Sequence, residues 1–253
     1  MYILLTAFLI TVCVVMHEAG HAYCMKIHGI QIKRAGLGFG PGIEVFSKKL
    51  GYPVKIGIIL LGAFVEPQDG EMNRLKTMPY RVQAEIYGAG VIANIVFSMV
   101  IAVFLNTLAV LRGDMSGGIF LSTALFVVLA AVVWFKRCFV SMYLTPVIGI
   151  LFLAFLVYIL FFNSTPNSSE VSGPGGIVEI VGTANSFEYG MIIAMVISIN
   201  IALFNMLPFL PLDGGRIYSA LVRQYSNGIA MIFEGLSLAS FIGLIAYIFI
   251  VNF

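Results

Sequence analysis

Long apolar stretches alternate with short polar ones along this chain, and the stretches have membrane-crossing length. Six runs carry almost no charge: residues 1–27, 80–111, 118–135, 139–162, 187–206 and 228–251. A helix needs about 20 consecutive apolar residues to cross a hydrocarbon core, so each run predicts a span, the third being slightly short. The second is long enough to tilt or to begin in the cytosol. Between the first two runs the pattern changes. Residues 31–66 are punctuated by Gly36, Gly38, Gly40, Pro41, Gly42, Gly51 and Pro53, with β-rich stretches at 43–47 and 54–65, which predicts a β-hairpin. Residues 56–65 are nearly all apolar apart from glycine. The hairpin is therefore expected to dip into the bilayer or to cover a membrane-embedded site; a small cytosolic β-domain is the alternative. Residues 163–186, with Pro166, Gly173, Pro174, Gly175 and Gly176, read as a polar external loop. Asn163-Ser164-Thr165 and Asn167-Ser168-Ser169 in it match the glycosylation pattern, which matters only in an organism that glycosylates.

Composition agrees. Of 253 residues, 60% are hydrophobic and 10% charged, against roughly half and a quarter in an ordinary globular domain. The expected fold is a polytopic α-helical membrane protein, a single integral-membrane domain over 1–253. It has about six transmembrane helices and a membrane-associated β-hairpin after the first. A net charge of +2, without a Lys/Arg cluster interleaved with aromatics, excludes nucleic acid as a partner. Cys13, Cys24 and Cys138 form an odd set without C-x-x-C spacing, so no disulfide framework is expected. The start of the chain lacks the basic region and cleavage site of a signal peptide and reads as a retained first helix.

Charge orients the spans. Lys26, Lys33, Arg34, Lys48, Lys49, Lys55, Arg74, Lys76 and Arg81 fall between the first two, Lys136 and Arg137 after the third, and Arg216 and Arg223 after the fifth. If six spans alternate, all of these lie on one side and only Arg112 on the other. By the positive-inside rule that side is cytoplasmic and both termini are outside. The plasma (cytoplasmic) membrane is the expected location, and the lipid bilayer an expected partner.

One cluster is chemically out of place in such a run. His17-Glu18-Ala19-Gly20-His21 interrupts the first span, and ionisable side chains inside a membrane are costly enough to be functional candidates. His17 and His21, at i and i+4, share one helix face, where both imidazoles can hold one zinc ion with Glu18 beside it as general base. A catalytic zinc takes three protein ligands and keeps a fourth position open. His28 lies beyond the helix end, next to Gly29, and reads as an ordinary interfacial residue. Cys13 and Cys24 share the histidine stripe, but two more ligands would close the site. Glu85 is explained by a helix pair with Arg81, and Glu234 in the last span has no evident partner. Asp213 stands out, in Asn205-Met206-Leu207-Pro208-Phe209-Leu210-Pro211-Leu212-Asp213-Gly214-Gly215-Arg216. Pro208 and Pro211 must break the helix there, and Gly214 and Gly215 free the backbone. This leaves a carboxylate on a bend on the same side as the histidines; a simple N-cap of the next helix is the alternative.

With these residues assembled, the chain resembles the site-2 protease family of intramembrane zinc metalloproteases. His17 to His21 looks like the family's H-E-x-x-H, and residues 36–65 resemble its membrane-associated β-hairpin. Ala89-Gly90-Val91-Ile92-Ala93-Asn94 is similar to its A-G-P-x-x-N segment, and Asn205 to Gly215 to its N-x-x-P-x-P-x-L-D-G motif. Ser172-Gly173-Pro174-Gly175-Gly176-Ile177 is a weaker likeness to its S-G-P-x-G. Val91 replaces the usual proline of the second motif, and Leu210 the second proline of the third, with Pro211 following. No segment has the length of the PDZ or CBS domains many members carry.

The resemblance implies Zn2+ as cofactor, bound by His17, His21 and Asp213, with Glu18 as catalytic base. It places Asn94 near the metal, holding substrate or oxyanion, or else making a plain helix–helix hydrogen bond. Gly90, Asn205, Pro208, Pro211, Gly214 and Gly215 support the site. The implied substrate is a single-pass transmembrane protein, trimmed outside by another protease and cleaved near its cytoplasmic end. It must unwind first, because a membrane helix buries its peptide bonds in internal hydrogen bonds. Rival readings are another polytopic H-E-x-x-H protease with a glutamate ligand, a zinc transporter, and a catalytically silent membrane chaperone.

Overall fold

A computed structural model describes residues 2–113, 117–162 and 186–252 of the chain. Apart from Ser186, the loop expected at 163–186 lies outside the described residues, together with its glycosylation patterns and the segment 172–177.

The apolar runs become helices: α1 Tyr2–Ile27, α3 Tyr80–Leu111, α4 Gly117–Phe135, α6 Thr145–Phe162, α7 Phe187–Asn205 and α9 Asn227–Asn252. Short elements join them: α2 Glu71–Thr77, α5 Arg137–Phe139 with the π-helical turn Val140–Leu144, and α8 Asp213–Arg223. Among the described residues, six stretches are long and apolar enough to cross a membrane, and each overlaps one of the six expected runs. The polytopic reading therefore holds.

α3 is the axis of the bundle. Of its most apolar window 56% is buried, against 0% for α4, so α3 is the more enclosed helix, with Val100 and Phe104 facing out near its end, while α4 turns Leu121, Val127, Val128 and Phe135 outward. Close approach of α1 to α3 depends on Gly20, where a Cβ would lie 2.4 Å from the carbonyl oxygen of Ala89. α7 locks onto both neighbours through small polar groups: Cys13 Sγ donates to Ala194 O at 3.4 Å, and Ser198 Oγ donates to Asn94 O at 3.1 Å. Side-chain to backbone bonds of this kind join helices where apolar contact has no hydrophobic driving force against lipid.

The expected hairpin is present, as β1 Ile32–Ser47 and β2 Tyr52–Pro67, but it is not a simple ribbon. Residues 35–37 pair with 63–65 on one side and with 54–56 on the other, while 43–47 pair with 52–56. Each strand is bent back, so the sheet is four ribbons wide in the order 63–67, 32–37, 52–57, 43–47. The bends fall where φ is positive, at Gly38 and Gly40 in β1 and Gly62 in β2, a conformation that suits glycine. Ile43, Val45, Phe46 and Ile58 on the outer part are exposed, as the apolar pattern of the sequence implies for a sheet touching lipid. At its root Arg34 Nε donates to Glu66 at 2.6 Å, and Val65 packs against the core around Met25 and Ile30.

Glu85 does not pair with Arg81 as their spacing suggests. Its carboxylate accepts from Arg137 Nε at 2.7 Å and lies 3.3 Å from His28 Nε2, while Arg81 turns to Cys138 Sγ. A buried carboxylate gains more from a cation reaching across the bundle than from an exposed neighbour on its own helix. Glu234, without a visible partner in the sequence, meets Arg223 and Ser219, both on α8.

Candidate active site

His17 and His21 stand one turn apart on α1, and the i,i+4 spacing turns both Nε2 atoms to the same point. Asp213 reaches that point from the other end of the chain. α7 ends at Asn205, whose amide donates back to Ile201 O at 2.9 Å. The Pro208–Pro211 segment then turns the chain, and α8 starts at Asp213 itself. Its carboxylate makes no cap on its own helix: Oδ2 lies 3.0 Å from His17 Nε2 and 3.1 Å from His21 Nε2. The two Nε2 atoms are 3.2 Å apart.

This triangle has the spacing that three ligands of one tetrahedral metal ion would need. Zn–N and Zn–O bonds of about 2.0–2.1 Å in a tetrahedron imply ligand–ligand edges of about 3.3 Å, close to the three distances observed. Among the described residues these are the three groups that can hold one ion together; Cys13 and Cys24 are buried elsewhere. Room for the ion comes from Gly90. A Cβ there would lie 2.5 Å from His21 Nε2 and 2.6 Å from His17 Nε2, so α3 leaves empty the space between the ligands.

The rings are set from behind. His21 Nδ1 donates to the backbone oxygen of Ile86 at 2.8 Å, which leaves the Nε2 lone pair for a metal. Behind His17, the amide of Asn94 stands 3.4 Å from Nδ1. Asn94 is fully buried, and its Oδ1 has no hydrogen-bond partner in the opposite direction. Turning the amide over, a change that leaves its shape unaltered, makes Oδ1 the acceptor for His17 Nδ1–H and gives that oxygen its donor. Burial alone would push the Asp213 carboxyl up, but attraction to the protonated form of His21 and the bonds that both imidazoles donate in their Nε2–H forms outweigh it and hold the carboxyl well below its usual range.

Glu18 is half-buried on α1 between the two histidines in sequence. It lines an open cleft of about 410 Å³ between α1 and the sheet, walled by Ala19, Ala22, Leu37, Val54 and Phe64. The walls are largely small or apolar, with Glu18 and Lys26 as the charged side chains among them. Gly214 and Gly215 allow the tight turn into α8: a Cβ at Gly214 would lie 2.3 Å from Leu207 O, and one at Gly215 2.4 Å from the carbonyl carbon of Phe209. One supporting residue has no sequence signal. Ser237 on α9 accepts from Leu210 N at 2.7 Å and donates to Pro208 O at 3.0 Å, pinning the turn that presents Asp213. A single serine in an apolar helix is common, and nothing in its surroundings marks this one.

Residues 5–250 match the model of peptidase family M50. The chloroplastic membrane metalloprotease ARASP of Arabidopsis thaliana is 31% identical over 112 residues, which make up 40% of this chain and 24% of the relative. The regulator of sigma-E protease RseP of Salmonella typhimurium is 32% identical over 108 residues, 38% of this chain and 24% of the relative. The match thus spans about a quarter of the length of these relatives. Because the family match runs over nearly the whole chain, this integral membrane protein belongs to peptidase family M50, the site-2 protease family.

Proposed function

We propose that the protein is a zinc-dependent intramembrane endopeptidase that hydrolyses a peptide bond within or near the cytoplasmic end of a substrate transmembrane helix. The observation that carries this reading is the meeting of His17, His21 and Asp213 within about 3 Å of one another, with Glu18 opening on an apolar cleft beside them. When bound at His17, His21 and Asp213, zinc supplies a Lewis acid that polarises the scissile carbonyl and acidifies water.

The chain's own residues do the rest. Glu18 accepts the proton of the attacking water and returns it to the departing amine nitrogen. Asn94 and the Ile86 carbonyl keep both imidazoles in the tautomer that exposes Nε2, so Asn94 acts by positioning His17 rather than by touching substrate. The cleft between α1 and the sheet receives the unwound segment. The outer ribbons of the sheet, at 43–47 and 63–67, have free edges among the described residues where an extended strand can add by backbone hydrogen bonds. The excess of Lys and Arg between the first two spans and after the third and fifth puts the site toward the cytoplasm and both termini outside. The substrate is a single-pass transmembrane protein already trimmed on its outer side.

The test uses the purified full chain and its Glu18→Gln and Asp213→Ala variants on a transmembrane reporter, with bound zinc measured in parallel. The expected result is cleavage by the parent, zinc without cleavage in Glu18→Gln, and loss of both in Asp213→Ala. Cleavage that survives Glu18→Gln overturns the mechanism. Zinc binding by a parent that cleaves no reporter points to a transporter or silent chaperone instead.

A further inference from the structure

On the side of the bundle where basic residues concentrate, α2, α3, α8 and α9 enclose a cavity of about 240 Å³, walled by Lys76, Gln83, Tyr87, Arg216, Ser219 and Arg223. A second cavity of about 620 Å³ shares Lys76, Gln83 and Arg223 with it and continues the groove past Gln224 to Asn227. Three cations therefore face one groove, and Glu234 is the single carboxylate among its walls. That carboxylate is taken: Arg223 and Ser219 both donate to it.

Lys76 and Arg216 are left over. Neither side chain makes a hydrogen bond or an ion pair among the described residues; Arg216 lies over the face of Tyr87, 5.8 Å from its guanidinium carbon, and is otherwise felt only as a longer-range charge by Glu18. Arg34, Arg74, Arg112, Arg137 and Arg223 each hold a carboxylate. Two cations from different elements with all their N–H donors open, over one groove, suit an anion with several terminal oxygens better than a single carboxylate. Met72, Leu210 and Ala220 make the rest of the inner wall apolar. Basic pockets between membrane helices near the cytoplasmic leaflet have the chemistry that takes anionic lipid headgroups.

We propose that this groove, which none of the three metal-ligand candidates lines, is a binding site for a phosphate-bearing anion, held by Lys76 of α2 and Arg216 of α8. The phosphate comes either from an anionic phospholipid or from solution. The full chain is titrated with inorganic phosphate in neutral detergent, and is compared in phosphatidylcholine bilayers with and without phosphatidylglycerol; the readout is the shift in unfolding midpoint, which rises with occupancy of a native-state site. The parent is expected to be stabilised. In the Lys76→Gln/Arg216→Gln variant the apparent affinity falls about tenfold per lost cation, and Lys76→Gln alone, an exposed change on a different element from Asp213, shows a partial loss. A Lys48→Gln/Lys49→Gln variant removes the same charge from the β1–β2 turn and keeps the full shift. Stabilisation by phosphatidylglycerol alone identifies the lipid; stabilisation by inorganic phosphate identifies a soluble source. No shift with either probe, or equal shifts in the parent and the Lys76/Arg216 variant, overturns the site. Because the readout does not involve proteolysis, its failure leaves the proposed peptidase untouched.

Discussion

The buried amide of Asn94 stands behind His17, 3.4 Å from Nδ1 and on the opposite side of the ring from Asp213. The two residues are 77 positions apart, on α3 and α1, so the contact exists only because those helices pack with Gly20 against Ala89. A group behind a ligating imidazole fixes both its tautomer and its orientation. Asn94→Ala is expected to weaken zinc binding by about 10–100-fold while far-UV circular dichroism stays unchanged. Asn94→Asp, which keeps an acceptor for Nδ1–H, is expected to retain most of the affinity. Competition with a zinc chelator measures both; equal affinities for Asn94→Ala and the parent would remove Asn94 from the site.

Gly90 leads to a sharper loss. A single methyl group there would lie within 2.6 Å of both ligand nitrogens, in the space an ion needs. Gly90→Ala should push both imidazoles aside and purify without zinc; the helix preference of alanine over glycine, about 1 kcal/mol, offsets part of that strain, so the chain still folds. Metal content by atomic spectroscopy, set against a retained cooperative unfolding transition, checks this. Stoichiometric zinc in Gly90→Ala would mean that the ion sits elsewhere.

These two residues also mark how far the sequence could be read. The histidine pair was legible because helical period alone places His17 beside His21, and Asp213 because two prolines and two glycines mark a break at the right end of a span. The six spans followed from apolar length. The sheet was legible as a hairpin but not as four ribbons, because bending depends on positive φ at Gly38, Gly40 and Gly62, and a glycine does not announce its sign of φ. Gly90 was reachable only through the likeness of residues 89–94 to a family motif, because it acts through the absence of a side chain, which helical period does not display. Glu85 was assigned to Arg81 by a local rule, whereas burial gave it to Arg137, 52 positions away. Partners across a bundle are set by packing, which periodicity does not encode.

Ser237 gives a test of the turn that carries Asp213. Its hydroxyl serves Leu210 N–H and the Pro208 carbonyl together. Ser237→Ala leaves both groups without a partner, at a cost of about 1–3 kcal/mol. The expected outcome is a lower unfolding midpoint together with weaker zinc binding, because the same turn serves both. A lower midpoint with unchanged zinc affinity would show that α8 holds Asp213 without help from α9.

The last prediction concerns how the segment between the third and fourth spans is tied to α3. Glu85 is 7% exposed and depends on Arg137 for its strong partner. Removing Arg137 leaves a buried carboxylate with His28 alone, a change expected to cost about 2 kcal/mol, less than breaking a fully buried pair because solvent still reaches the site. Arg137 keeps 26% of its side chain exposed, and its guanidinium also lies 5.9 Å from the Trp134 ring, so the loss has two candidate origins. They separate in a double-mutant cycle. If the stranded charge dominates, adding Glu85→Gln to Arg137→Ala restores much of the unfolding midpoint, since a neutral amide needs no cation. If the stacking on Trp134 dominates, Glu85→Gln brings no recovery, and Arg137→Lys, which keeps the charge but not the planar fork, behaves like Arg137→Ala. The geometry favours the first outcome: a 2.7 Å bond to a buried carboxylate is worth more than a partly exposed cation–π contact of about 0.5–1 kcal/mol.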